Sequence, residues 1–461
     1  MKKAIGLLAG LAWIFLVFLP QPGLGAEFTL GGNLVLHAVW DSTQTNNSYN
    51  QFILRNNDPN FQHGRLKFSS EKSRLYFLIK GPQVWGAKTS GYIEWDFCEG
   101  GSVSTAPGAL GFSPQKSRPA LRHAMFRLNW PSTELLMGQY WGLLSEEFPE
   151  IATPQPLGKF GGIPTYREPQ IRLSQKFCNG FEAAVALSEP MNGAHGIFLV
   201  PDQVANGNIY TGESSETPRV TGRLKYEQDL WGKGASFGVL RPFTARLGAS
   251  WQRSRFRAVD ADGRIFGQNN YANIRVRQPD QQYLNPWIVE GSIFAPLIPT
   301  YSPNLAGTLS LLTQWYVGAG VDFVAEDLPQ NTSYLNSQYL DGKTLVGDRV
   351  LMQKYGGLVQ LQYYFTNQWF LNSAWTMQKA FGVDLDRWSG FRQYNPAADP
   401  VKFNQHYYLT LWFRPIQALK FGVEYAYIRT DYFQRTAPLA GQHTSDFGED
   451  HHIMFVSFFF F

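Results

Sequence analysis

Cysteine and charged residues are both scarce in this chain of 461 residues. Only 16% of the residues are aspartate, glutamate, lysine or arginine, and two are cysteines. Two cysteines are too few for a disulfide-based scaffold. Cys98 and Cys178 fall at opposite ends of their predicted strands, beyond the few ångströms that a disulfide spans, so we expect two free thiols.

Long apolar runs are absent as well, except at the start of the chain. Lys2 and Lys3 precede an apolar stretch, and Gly23-Leu24-Gly25 has the small residues of a cleavage site. We therefore predict a signal peptide over residues 1–25. No later run is long enough to cross a bilayer as a helix, so we expect export without a helical anchor.

Motifs of common catalytic and metal sites are missing from the sequence. We find no Gly-x-Ser-x-Gly elbow, no phosphate loop and no haem-attachment motif. His451 and His452 are adjacent, and in a strand they would point to opposite faces. The 40 basic and 36 acidic residues nearly balance and give no indication of a nucleic-acid partner. We expect no enzyme, no metal, no cofactor and no bound nucleic acid.

The dominant feature that the chain does contain is an alternation of apolar and polar residues. In residues 28–41, Phe28, Leu34 and Trp40 share one face, whereas His37 and Asp41 lie on the other. The same pattern recurs in 87–99, 309–323 and 354–365. Each segment therefore predicts a strand with one apolar and one polar face.

The connections between these strands alternate in length. Long segments near 42–62, 99–119, 143–167, 191–217, 255–284, 325–352, 380–405 and 431–449 alternate with short turns, although the turn near 229–241 is longer than the others. About sixteen strands result. We predict an all-β fold, a single transmembrane antiparallel β-barrel over residues 26–461, with long external loops and short periplasmic turns. A soluble β-sandwich is the alternative, but it would not usually turn so many aromatic residues outward.

The last strand supports the membrane assignment. Ile453, Phe455, Phe459 and Phe461 share one face, and such an edge would aggregate in water. A strand that ends on an aromatic carboxy-terminal residue resembles the assembly signal of bacterial outer-membrane barrels. We expect insertion into the outer-membrane lipid of a Gram-negative cell, with Phe461 recognised by the barrel-assembly machinery.

Placing the apolar residues outward leaves many basic residues facing the lumen. We predict that they form a basic strip along one wall, which would favour small anionic solutes; its members are Arg74, Lys88, Arg127, Arg172, Arg223 and Arg246. The alternative for any single arginine is a structural ion pair with Glu94, Asp96 or Glu424. Guanidinium groups suit either role because they bind carboxylates through two nitrogens.

The third long loop, residues 143–167, carries three acidic residues. In sixteen-stranded porins a loop at this position commonly folds into the barrel and narrows it. Glu146, Glu147 and Glu150 would then oppose the basic wall across the passage. The alternative is a loop that stays external.

Six fragments, in this order, resemble the DcaP-like trimeric porins of the outer membrane: FTLGGNLVLHAVWD, SEKSRLYFLIKG, GYIEWDF, LRHAMFRLNW, LLMGQYWG and REPQIR. The resemblance covers about eight strands and weakens beyond residue 255. It implies a sixteen-stranded homotrimer that admits small anions, notably dicarboxylates. It also implies lumen positions at Arg74, Arg122, Arg127, Gln139 and Arg172.

Three other functions stay open from the sequence. They are a non-selective general porin, a structural or adhesive barrel, and an outer-membrane lipase. We find no convincing outward-facing serine and histidine on neighbouring strands for the lipase.

Overall fold

The computed structural model describes residues 26–43, 63–99, 118–154, 162–190, 215–257, 275–277, 281–321, 334–339, 344–351, 353–381, 401–432 and 447–461. The predicted signal peptide and most of the predicted long loops lie outside these ranges. Residues 143–167 are the main exception. Among the described residues, no helix has the length and apolarity needed to cross a bilayer.

Sixteen strands form one closed antiparallel barrel, which confirms the predicted fold. In chain order they are β1 (Glu27–Asp41), β2 (Arg65–Ser69 and Arg74–Val84), β3 (Ala87–Glu99), β4 (Arg118–Asn129), β5 (Thr133–Trp141), β6 (Arg167–Lys176), β7 (Phe181–Ser188), β8 (Arg219–Gln228), β9 (Phe243–Trp251), β10 (Trp287–Ile298), β11 (Leu309–Ala319), β12 (Gln353–Tyr364), β13 (Trp369–Phe381), β14 (Val401–Ile416), β15 (Leu419–Tyr432) and β16 (Phe447–Phe460).

The first and last strands close the barrel. β1 pairs with β16 from Asn33 opposite Phe460 to Asp41 opposite His452, and it pairs with both parts of β2 on its other side. Where β2 is interrupted, the backbone N–H of Val35 donates to Ser73 Oγ at 3.0 Å. Closure matters because an unpaired backbone group in hydrocarbon costs several kcal/mol.

The strands turn alternate side chains to opposite sides of the wall. In β1 the outward residues include Phe28, which is 66% exposed, and Trp40, whereas His37, Val39 and Asp41 are buried on the inside. Other strands repeat this pattern, and their exposed Leu, Ile, Val, Phe and Trp side chains form an apolar outer surface. That surface is the one expected to face acyl chains.

The short turns join neighbouring strands at the end of the barrel that also holds Gly32 and Phe461. The composition of Gly81-Pro82 predicts a short turn there, and this prediction is wrong. Gly81 and Pro82 lie within β2, where the register of its pairing with β3 shifts between Lys80 and Gln83. This irregularity accommodates a proline that has no N–H to donate. The chain reverses instead at Trp85 and Gly86, which both have positive φ angles (51° and 75°), as in a type I′ turn.

Among the described residues, five short strands lie outside the barrel wall at its long-loop end. Ser254–Arg257 pairs with Gln281–Leu284, and Thr344–Val350 pairs with both Arg275–Arg277 and Tyr334–Tyr339. A further hairpin, Gly234–Ser236 with Val239–Arg241, lies in the long turn between β8 and β9. We call it the turn hairpin.

Candidate functional site in the barrel lumen

The loop between β5 and β6, which we call L3, lies inside the barrel. Its described residues, 142–154 and 162–166, include Leu143, Leu144 and Ile163, all of which are almost fully buried. Ile163 packs against inward-facing side chains such as Leu312 and Leu358. L3 is therefore an internal element of the barrel and not an external loop.

Glu424 on β15 holds the middle of L3. Its carboxylate is completely buried and accepts hydrogen bonds from the backbone N–H groups of Ala152 (2.6 Å) and Thr153 (3.0 Å) and from Thr153 Oγ1 (2.6 Å). Thr410 Oγ1 on β14 donates to the same carboxylate at 2.6 Å. Glu424 was the alternative partner for an arginine, but in the structure it binds backbone N–H groups of L3.

Glu150 connects L3 to β12 and makes additional contacts with β14 and β15. Its carboxylate accepts from Lys420 Nζ on β15 (2.5 Å) and from Gln362 Nε2 on β12 (2.6 Å). Its backbone carbonyl accepts from Trp412 Nε1 on β14 at 2.9 Å. Because Gln362, Trp412 and Lys420 lie close to the short turns, L3 descends deep into the barrel.

Glu146 and Glu147 bind the basic wall directly. Glu146 pairs with Arg223 on β8 and, at 3.4 Å, with Arg246 Nε on β9. Glu147 pairs with Arg246 and receives two hydrogen bonds from Arg241, at 2.8 and 3.1 Å. The prediction that these acidic groups stand across the passage from Arg223 and Arg246 is therefore wrong, because they neutralise those arginines by contact.

The charge of Glu147 is stabilised by these partners. Burial opposes ionisation of the carboxyl group, but Arg246 and Arg241 outweigh it, so the pKa of Glu147 lies below its usual value.

Arg122 forms the structural ion pair that the sequence analysis left open. It is buried on β4, with Nε 2.5 Å from Glu94 Oε1 and Nη1 2.7 Å from Asp96 Oδ2, both on β3. Two carboxylates therefore compensate the charge of the Arg122 guanidinium.

Arg127 and Arg172 are arranged differently. They lie on β4 and β6 on either side of Tyr140 of β5, with guanidinium carbons 4.7 and 5.7 Å from the ring centre. Both approach the same carboxylate, Glu134, at 3.7 and 3.9 Å. Among the described residues, neither Nε has a hydrogen-bond partner. Both cations thus approach Glu134, and Arg172 also interacts electrostatically with Glu146 of L3.

Arg74 and Lys88 lie at other levels of the same wall. Arg74 on β2 is half-buried and stands opposite Asp96, on the inward face of the sheet. Lys88 on β3 is exposed near the short turn and stands opposite Asn129.

Gln139 does not face the lumen, which corrects the position implied by the family resemblance. It stands opposite Ala124 and Pro169, and the same faces of β4 and β6 carry the exposed Phe126 and Ile171. Its Nε2 donates to the carbonyl oxygens of Leu121 and Arg122, both at 3.1 Å. The pairing of β3 with β4 is irregular at this point, and Gln139 supplies donors to the carbonyls there.

Three residues that shape the lumen were not identified from the sequence. Glu134 and Tyr140 share the inward alternation of β5 and could have been found from the outward Leu135 and Met137. Arg241 lies in the turn hairpin, where no strand alternation assigns a direction.

One compact group of carboxylates and histidine was also missed. Asp41, Asp450 and His452 each offer an atom within 4.8 Å of the others. Protein groups already bind them: Arg65 Nε lies 2.5 Å from Asp41, and Ser42 Oγ donates to Asp450 at 2.9 Å. We assign no ion here, and the expected absence of a metal remains a prediction. His452 points inward and His451 outward.

A closed sixteen-stranded barrel with its third loop folded inside is the fold of a porin. No protein-family model and no curated protein matches the chain. Among solved structures, the chain is similar to the outer-membrane channel DcaP of Acinetobacter baumannii, with a TM-score of 0.61 and 16% identity over 96% of this chain and 99% of that one. It is also similar to OprB of Pseudomonas putida, with a TM-score of 0.50 and 11% identity over 95% and 94%. These similarities show a shared fold, and it is the fold that the sequence fragments imply.

Proposed function

We propose that this barrel is a porin of the Gram-negative outer membrane, through which small anionic solutes such as carboxylates and dicarboxylates diffuse passively. The porin fold supports a channel without enzymatic activity. The observation that carries the anion preference is the pair Arg127 and Arg172. Both approach Glu134 only at 3.7 and 3.9 Å, and Glu146, which also acts on Arg172, already pairs with Arg223 and Arg246.

The position of L3 supports the same assignment. The polar contacts described above join L3 to β8, β9, β12, β14 and β15, whereas Arg127 and Arg172 lie on β4 and β6. A solute that passes L3 would therefore meet the less neutralised part of the basic strip. Two guanidiniums on either side of Tyr140 suit a planar carboxylate because each can bind both of its oxygens.

Reversal potentials in a salt gradient test this proposal. We expect wild-type channels to prefer anions and the double variant Arg127→Ala/Arg172→Ala to lose most of that preference. At about 7 Å in a water-like medium, one charge contributes about 0.6 kcal/mol, and 0.1 M salt roughly halves this. Counting anion attraction and cation repulsion, loss of two charges changes selectivity by about 1.2 kcal/mol, or about eightfold.

Arg429→Gln is a suitable control. Arg429 shares the outward alternation of β15 with Val423 and Tyr425, so its loss removes a positive charge without changing the lumen. The proposal fails if the wild-type channel prefers cations, or if the double variant stays folded and keeps the wild-type reversal potential.

A non-selective general porin is the second candidate. It is favoured by the ion pairs of Arg122, Arg223 and Arg246, which leave only part of the basic strip uncompensated. Equal anion and cation permeability in the wild-type channel would select it. Absence of conductance would favour a structural or adhesive barrel, and ester hydrolysis by the detergent-solubilised protein would favour a lipase.

The predicted assembly is part of the proposal. Three copies and recognition of Phe461 by the barrel-assembly machinery follow from the resemblance and from the carboxy-terminal strand. Chemical cross-linking in native membranes tests the trimer, and removal of Phe461 tests the assembly signal.

A further inference from the structure

The turn hairpin projects into the lumen from the short-turn end. Gly234, Ala235 and Ser236 are fully buried. Ala235 O accepts a hydrogen bond of 2.6 Å from Ser310 Oγ on β11, and Gly238 N–H donates to Tyr364 Oη on β12 at 2.9 Å. Both partners point inward and are buried. The hairpin therefore crosses from the β8–β9 connection to the inner face of β11 and β12.

The tip of the hairpin meets L3. The backbone N–H of Phe237 donates to Glu150 Oε2 at 3.0 Å, and Arg241 at the hairpin's base binds Glu147 through two nitrogens. Glu150 and Glu147 are thus each bound by both the barrel wall and the hairpin. L3 and the turn hairpin form one connected internal structure.

Two apolar side chains of this hairpin remain exposed. Phe237 is 43% and Val239 57% exposed. Lipid does not reach them because their hairpin lies inside the wall, so they face the water-filled end of the barrel. Phe237 also has a positive φ of 51°, a conformation that favours asparagine or glycine, so the ring is kept at a strained position.

We infer that the constriction of this channel has two parts, L3 from the loop side and the turn hairpin from the short-turn side, and that Phe237 lines its short-turn rim and limits solute size there. The inference rests on the proposed channel function. It assigns a size-determining role to a turn that would otherwise only join two strands.

Phe237→Asn tests the inference without disturbing the turn, because asparagine tolerates a positive φ. We expect a higher single-channel conductance in planar bilayers and entry of larger neutral polymers from the short-turn side. Trp85→Asn is the matched control. Trp85 is also an exposed aromatic residue with a φ of 51° before a glycine, but it lies in a two-residue turn at the rim of the barrel.

Phe237→Cys gives an independent test in which the passage is narrowed instead of widened. Reaction with a bulky membrane-impermeant thiol reagent from the short-turn side should lower the conductance, and the wild-type protein, which has an exposed Cys178, controls for other thiols. Unchanged conductance in both Phe237 variants of a conducting barrel would overturn the inference alone. A wild-type barrel that does not conduct would overturn the proposed function and this inference with it.

Discussion

Replacing Glu424 with alanine should release the middle of L3 while the barrel stays folded. The buried carboxylate accepts three hydrogen bonds from Ala152 and Thr153 and one from Thr410. With about 1.5 kcal/mol net for each bond to a charged group, the three L3 bonds contribute about 4–5 kcal/mol to docking. Their loss would raise the ratio of undocked to docked segment about a thousandfold.

Single-channel recording detects this change. We expect the Glu424→Ala channel to show larger current fluctuations and a higher mean conductance, because residues near Ala152 would move in the lumen. The electrophoretic mobility of unheated samples and circular dichroism check that the barrel is folded.

Two variants separate loop release from a general disturbance. Thr153→Val removes one of the three L3 bonds and should give a smaller effect. Thr410→Val removes the bond between Glu424 and the wall and should leave the current close to wild type. If the Glu424→Ala channel shows the current fluctuations and mean conductance of the wild type, the view that Glu424 holds L3 is refuted.

Two further predictions concern Glu147 and Gln139. The pKa of Glu147 lies below its usual 4.5, so its contribution to L3 docking should be complete above pH 4.5 and decline only as the pH falls further. Conductance should therefore be constant between pH 7 and 5 and change below 4.5. A change already at pH 6 would contradict this. Gln139→Leu should lower unfolding stability in detergent by about 1 kcal/mol and leave the reversal potential unchanged, since Gln139 binds backbone carbonyls at the outer surface; altered selectivity would contradict that role.

The barrel itself could be predicted from local patterns. Alternation along a strand decides which side chains face lipid, as in Phe28 and Trp40 against His37 and Asp41. The alternation of long loops and short turns gave the strand order and count. Both signals depend on residues close in sequence. Local irregularities limited both signals, because β2 continues through a register shift at Pro82 and the turn forms at Trp85 and Gly86.

The candidate site depended on contacts between distant parts of the chain. The alternation predicted that four arginines face the lumen, namely Arg127, Arg172, Arg223 and Arg246. It could not predict which carboxylates lie near each of them. Their different environments arise because L3 reaches β8 and β9 and brings Glu146 and Glu147 into direct contact with Arg223 and Arg246. Arg127 and Arg172 approach Glu134 at 3.7 and 3.9 Å, and Glu146 acts on Arg172 without an ion-pair contact.

By itself, then, the sequence determined a membrane barrel with arginines on its inner wall, because successive side chains along a strand point to opposite faces of the sheet. Only the tertiary structure decided which arginines contact the carboxylates of L3 and that a turn hairpin enters the lumen. Neutralisation of a charge depends on a carboxylate a few ångströms away in space, and that carboxylate can lie a hundred residues away in the chain.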